Sequence, residues 1–202
     1  MSLVVIKYNA GNIRSVLIAL GRLGVAAEIS NDPGRIRAAE KVIFPGVGEA
    51  SSAMRYLQEK KLDTLIPALT QPVLGICLGL QLMCRHSEEG DTPCLNVFST
   101  RVRRFPPGKK VPHMGWNAIS SLRGPLFKGI PENAYCYFVH SYAAECCAEQ
   151  TAVTEYVFPF AAALQKDNFF ALQFHPEKSG DTGQRILRNF LELPPLKEGM
   201  QT

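Results

Sequence analysis

Val73-Leu74-Gly75-Ile76-Cys77-Leu78-Gly79-Leu80-Gln81 decides how the rest of the chain is read. Val73 to Ile76 follows Pro72 as a short apolar run of strand type, and Leu78 to Arg85 reads as a helix. Cys77 therefore stands where a strand turns into a helix, with a glycine two positions to either side. This is the nucleophile-elbow pattern, with cysteine in place of serine. Small residues are required at 75 and 79 because the turn is tight and its backbone runs close to neighbouring elements. Such a turn pushes the thiol outward at the carboxyl end of the strand, where open α/β sheets bind ligands. The helix that follows aims backbone N–H groups and a positive dipole end at the sulfur, and both favour thiolate over thiol. The plain alternative is a buried structural cysteine. Cys84, Cys94, Cys136, Cys146 and Cys147 are read that way, since none stands in a comparable turn.

Outward from the elbow, the first half of the chain alternates strand and helix signals. Leu3 to Lys7 is a β-rich run, and Ile13, Val16, Leu17 and Leu20 recur at the spacing of one helix face. Ala26 to Ser30 and Lys41 to Phe44 read as further strands, the latter ending at Pro45-Gly46. Met54, Leu57, Leu62, Leu65 and Ile66 mark helical turns. The second half is β-rich: 111–119, 134–142, 151–158, 162–165 and 169–174 are strand-like. A last helix carries Ile186, Leu187, Phe190 and Leu191 on one face and stops at Pro194-Pro195. The expected fold is α/β, a mostly parallel central sheet flanked by helices with a β-rich second half, in one domain over 1–202.

Composition narrows the function classes. The 202 residues are 46% hydrophobic and 20% charged with a formal net charge of +4, ordinary for a soluble globular protein. The densest basic stretch, Arg101, Arg103, Arg104, Lys109 and Lys110, is broken by Pro106-Pro107-Gly108 and has no interleaved aromatics for base stacking. It reads as a solvated face, and nucleic acid is not expected as a partner. No apolar run approaches the ~18 residues that span a bilayer, so no membrane is expected. The six cysteines show no C-x-x-C pair for zinc or redox work, and no signal peptide precedes Leu3. Reduced thiols in the cytoplasm, with no metal site, are the expectation.

A thiolate that attacks an amide needs a base that can also protonate the leaving amine. His175 has the best context: it ends the run Phe170 to Phe174, and Pro176 holds it extended. Glu177, two residues on, points to the same side and can fix the imidazole tautomer. His140, in Tyr137-Phe138-Val139-His140-Ser141-Tyr142, is the competitor, without a carboxylate at i+2; His86 and His113 are weaker still. An oxyanion hole should take one donor from the Leu78 N–H and another from Pro45-Gly46-Val47-Gly48, by Val47 or by Gly48. Glycines on both sides make the Val47 peptide easy to reorient. A hole completed only when a partner signals is the corresponding expectation.

Together PGVG (45–48), GICLGLQ (75–81) and FHPEKSG (174–180) resemble the triad-type, class I glutamine amidotransferase family over nearly the whole chain. KYNAGNIRSV (7–16), PHMGWN (112–117) and YFVHSY (137–142) are similar to the glutaminase subunits of imidazole glycerol phosphate synthases, which work in histidine biosynthesis beside a (βα)8-barrel cyclase. The resemblance implies a γ-glutamyl thioester on Cys77, acid/base work by His175 and orientation by Glu177. It implies that Gln81, with the Gly48 and Ser141 backbones, holds L-glutamine, and that Glu89 receives the substrate's α-amino group. By composition alone Glu88-Glu89 is only an exposed helix end. Asn12, Met114, Trp116, Tyr137 and Lys178 match positions facing the cyclase in a heterodimer. No metal or organic cofactor is implied.

One departure from the family pattern is visible. Many members carry an acidic residue, an aromatic and a glycine where this chain has Lys7-Tyr8-Asn9-Ala10. Asn9 tolerates the left-handed region better than most residues, which would preserve the loop. Two rivals remain at this stage: a glutaminase subunit of another synthase, such as that of pyridoxal phosphate synthase, and a catalytically idle docking subunit.

Overall fold

Near-continuous apolar runs at 3–6, 42–46, 73–77 and 169–172 build a sheet whose centre is buried on both faces. The computed structural model describes residues 1–8 and 13–194. Asn12, the Asn9-Ala10 pair and Pro195, for which expectations were stated, lie outside them. In chain order the first half contains β1 (Leu3–Ile6), α1 (Ile13–Arg22), β2 (Glu28–Ser30), α2 (Pro33–Ala38), β3 (Lys41–Gly46), α3 (Ala50–Glu59), α4 (Leu62–Leu65), β4 (Val73–Cys77) and α5 (Leu78–Met83). Then come β5 (His86–Ser87), β6 (Thr92–Pro93), β7 (Arg101–Arg104), β8 (His113–Ile119), β9 (Ala134–His140), β10 (Tyr142–Ala144), β11 (Gln150–Glu155), β12 (Pro159–Lys166), β13 (Phe169–Leu172) and α6 (Gly180–Leu191).

The main sheet has seven strands in the order β11-β12-β13-β4-β3-β1-β2. Its pairings from β13 through β2 are parallel, and β12 runs antiparallel to both neighbours. In β1, Leu3 and Val5 enter one core while Val4 and Ile6 enter the other, as period-two side chains must. Helices α1 and α6 close the first core with Val16, Leu20, Ile186 and Phe190, and α3, α4 and α5 close the second. This is the α/β layer architecture expected from strand–helix alternation. A four-stranded sheet, β10-β7-β5-β6, and a β8–β9 hairpin supply the extra β structure of the second half.

Several boundaries differ from the sequence reading, each for a local reason. The run 134–142 breaks at Ser141, where the chain leaves the hairpin and joins β7 through β10. The run 151–158 stops at Glu155. Helix α5 ends at Met83 rather than Arg85, because the backbone N–H groups of Leu95, Asn96 and Val97 take the carbonyls of Leu82, Cys84 and Met83 that another turn would have used. Glu88-Glu89 is not a helix end; it follows the two-residue strand β5. Asp32-Pro33-Gly34 opens the unanticipated α2, with Asp32 Oδ1 accepting the Arg35 N–H at 2.8 Å and Pro33 in the first turn. The basic run contributes β7, in which Val102 is buried and the three arginines are exposed.

Candidate active site

Strand register assembles the site. Leu172 of β13 lies opposite Ile76 of β4, and Gly46 of β3 lies opposite Cys77. The three segments singled out in the sequence therefore leave the sheet at one carboxyl edge, with Cys77 between the 46–48 loop and the 173–177 segment.

At the elbow Cys77 has φ 54° and ψ −106°, a backbone conformation costly for a residue with a Cβ and held only by its surroundings. Both flanking glycines are sterically required. A Cβ on Gly79 would stand 1.9 Å from the Phe44 carbonyl oxygen, and one on Gly75 would stand 3.0 Å from the Gly79 backbone. The turn leaves Cys77 6% exposed, with Sγ 3.8 Å from Gln173 Nε2 and 4.0 Å from the Val139 carbonyl oxygen.

His175 and Glu177 meet, though through a 3-10 turn over Pro176–Lys178 rather than the extended chain expected. Nδ1 of His175 is 2.8 Å from Oε1 of Glu177, and the two side chains are 1% and 0% exposed. Burial opposes the imidazolium. The hydrogen bonds and negative charges of Cys77 and then Glu177 outweigh it, and the His175 pKa is pushed up to about 10. Among the described residues His175 Nε2 makes no regular hydrogen bond, while Cys77 is near enough to favour the imidazolium. The turn is pinned from outside: the His175 N–H donates to the Tyr137 carbonyl at 2.9 Å, and Ser179 Oγ donates to the His175 carbonyl at 2.7 Å while accepting the Tyr137 N–H at 2.9 Å.

A cleft of about 300 Å³ opens over Cys77. It is lined by Val47, Gly48, Leu78, Gln81 and Glu89 together with Pro112, Val139, His140, Ser141 and Tyr142. The expected oxyanion and substrate residues thus share one cavity, although His175 is not part of its wall. Gly48 has φ +125°, a region that disfavours any side chain. Gln81, 5% exposed, donates to the Tyr142 carbonyl at 2.8 Å and to Gln173 Oε1 at 3.2 Å. Glu89 Oε2 accepts the Ala50 N–H at 2.8 Å, capping α3 from a distance. Burial pushes its carboxyl above the usual range, against that hydrogen bond.

The family model for class-I glutamine amidotransferases matches residues 4–193. The chain belongs to the class-I glutamine amidotransferase family. Within it, this chain is 60% identical to the HisH subunit of imidazole glycerol phosphate synthase from Bacteroides fragilis strain YCH46, over 96% of this chain and 100% of that protein. It is 46% identical to HisH from Haemophilus influenzae strain KW20, over 96% and 99%. In fold it matches the solved structure of PurLQS from Thermotoga maritima, with TM-score 0.68 and 17% identity over 94% of this chain and 97% of that one.

In this class-I amidotransferase the rival base is occupied elsewhere. His140 Nδ1 is 2.7 Å from the Tyr142 carbonyl oxygen and its Nε2 is 3.0 Å from His113 Nδ1. Burial, with the neighbouring imidazoles, holds the His140 pKa down at about 3 despite the Tyr142 hydrogen bond. Gln173, whose amide faces Cys77 Sγ and accepts from Gln81, was not singled out in the sequence. It stands just past the end of β13, two positions before His175, and a polar residue closing an apolar run was the available signal.

Four of the residues matched to the cyclase-facing positions form one surface. Trp116 pairs across the hairpin with Tyr137, ring centroids 6.1 Å apart, and Lys178 Nζ lies 5.8 Å over the Tyr137 ring. Met114 is 59% exposed and Trp116 55%. Tyr135, equally exposed at 59%, extends the patch and was not anticipated. Among the described residues no helix is long and apolar enough to cross a membrane, and no cluster of three or more His, Cys, Asp or Glu could hold a metal ion.

Proposed function

We propose that this chain is one glutaminase domain of the cytoplasm that hydrolyses L-glutamine to glutamate and ammonia, and hands the ammonia to a barrel-fold cyclase that makes imidazole glycerol phosphate in histidine biosynthesis. The Cys77 thiolate attacks the amide carbon, and the oxyanion is received by the Leu78 N–H and by Val47 or Gly48. His175, as imidazolium, protonates the leaving nitrogen and ammonia departs, leaving a γ-glutamyl thioester. His175 then takes a proton from water, the hydroxide attacks the thioester, and glutamate leaves as the thiol is restored. Glu177 fixes the tautomer and steadies the imidazolium. Gln81, Gly48 and the Ser141 backbone hold the side-chain end of glutamine, and Glu89 receives its α-amino group. No step needs a metal or organic cofactor.

The observation that carries this reading is the 2.8 Å His175–Glu177 contact in a site where Cys77 raises the same imidazole's pKa. The surface of exposed Met114, Trp116 and Lys178 around the half-buried Tyr137 supports a heterodimer with the cyclase, since aromatic residues on an open hairpin face fit a protein partner; Asn12 is assigned to it by the resemblance alone. The swing of the Val47 peptide on partner binding belongs to the same proposal, because Gly46 and Gly48 leave it few side-chain restraints. The test is co-purification with the cyclase and measurement of glutamate release with and without the cyclase's nucleotide substrate. Stimulated release supports the assignment. A complex that forms and releases no glutamate makes the chain an idle docking subunit instead.

A further inference from the structure

His113 and His140 lie opposite each other on the inner face of the β8–β9 hairpin, and both are buried. Their ring nitrogens form a chain whose two ends independently dictate the same protonation. At one end, Asn117 Oδ1 accepts the Ala118 N–H at 2.8 Å and its Nδ2 donates to the Glu155 carbonyl at 3.0 Å. The amide is therefore oriented with Nδ2 toward His113 Nε2, 3.2 Å away, which must accept. At the other end, the Tyr142 carbonyl can only accept, so His140 Nδ1 carries the proton that spans 2.7 Å to it. Between them, His113 Nδ1 donates to His140 Nε2 at 3.0 Å. Each ring is neutral and protonated on Nδ1. Burial keeps them so, holding His113 at about 4, with Lys109 contributing, and His140 at about 3.

The chain ends where the cleft begins. The Tyr142 carbonyl also accepts from Gln81 at 2.8 Å, and Gln81 donates to Gln173, whose amide faces Cys77 Sγ at 3.8 Å. Resting on the glutaminase reading above, we propose that His113 and His140 are positioning residues for glutamine. As a locked tautomer pair they fix the Ser141–Tyr142 turn and Gln81 in the geometry that receives the substrate. Loss of the His113 donor leaves His140 Nε2 buried without a partner, a defect large enough to shift the turn. Packing is the competing explanation, since His113 stacks between Phe138 and Tyr156 at centroid distances of 4.9 Å and 4.1 Å.

Two variants in the assembled complex separate the two explanations. His113→Phe keeps a flat ring between those aromatics and removes the donor; His113→Asn places an amide N–H where Nδ1 stood. His113→Phe is expected to raise the glutamine KM about tenfold with kcat within about threefold, and His113→Asn to return KM to within about threefold of the unaltered enzyme. An unchanged KM in His113→Phe, or equal defects in both variants, overturns the proposal. Nitrogen-15 NMR of the unaltered protein at about pH 5 gives a readout that needs no variant to fold: both imidazoles should be neutral with the proton on Nδ1. A proton on His140 Nε2 overturns the relay, and it does so whether or not the chain hydrolyses glutamine. Absence of glutamine hydrolysis by the unaltered complex overturns instead the glutaminase reading.

Discussion

Leu172 and Ile76 face each other in adjacent parallel strands, and this register carries two distant parts of the chain to one point. Cys77 ends one strand, and Gln173, Phe174 and His175 follow the other. The thiol and the imidazole could not meet if β13 slipped by one residue, because every side chain beyond it would change faces.

The His175–Glu177 pair makes pH a direct probe. His175 has a pKa raised to about 10 from its ordinary 6.5. A raised histidine pKa contributes stability that is fully present below the unfolded value and is lost as pH rises through the folded one. Denaturant unfolding should therefore show this contribution falling between about pH 6.5 and pH 10. Glu177→Gln removes a charge that favours the imidazolium, so the alkaline limb of kcat/KM should move to lower pH and kcat should fall about 10²- to 10⁴-fold. An unchanged pH–rate profile would remove Glu177 from the triad.

Two glycines separate steric need from helix propensity. A Cβ on Gly183 would lie 1.9 Å from the Pro176 carbonyl oxygen, so Gly183→Ala must displace the 176–178 turn that carries Glu177. It should cost about 1–3 kcal/mol and lower kcat. Gly21, in α1, has nothing among the described residues within 4 Å of its added methyl. Gly21→Ala should stabilise by about 0.5–1 kcal/mol with activity unchanged. Thermal unfolding beside glutaminase assays reads both.

How much of this was legible depended on which forces act locally. The elbow at Cys77 could be read because close backbone approach at Gly75 and Gly79 leaves a short, strict spacing. The His175–Glu177 contact was expected from alternation along an extended chain, but only His175 is extended, and a single 3-10 turn over Pro176–Lys178 brings Glu177 back to the ring. The role of Glu89 as a cap on Ala50 was hidden, since it joins residues 39 apart through folding alone. Helix α2 was missed because Asp32-Pro33-Gly34 carries turn and cap signals alike. The strand at 101–104 was missed because only Val102 of its four residues is apolar and buried.

Tyr8 carries a less obvious expectation. Its hydroxyl is buried with no hydrogen-bond partner among the described residues, and burial, with the charge of Cys77, pushes its pKa well above the usual range. Tyr8→Phe removes an unsatisfied polar group while keeping the ring that packs 5.2 Å from Phe44. Stability should hold or rise by about 1 kcal/mol. A loss of about 2 kcal/mol or more, on the order of a broken hydrogen bond to a buried group, would show that the hydroxyl is paired.

Trp116 tests the partner surface. It is 55% exposed, so truncation leaves the core intact. Trp116→Ala should weaken cyclase binding by about 2 kcal/mol, roughly thirtyfold, with Tm within about 2 °C. Calorimetric titration decides it. Unchanged affinity would move the interface elsewhere.

The most direct test is covalent. The complex is treated with a glutamine-like chloroketone and every cysteine is mapped by mass spectrometry. Cys77 should carry one adduct, glutamine should protect it, and the buried Cys84 and Cys136 should stay unmodified. An adduct that forms only at the exposed Cys146, or none at all, would contradict Cys77 as the nucleophile.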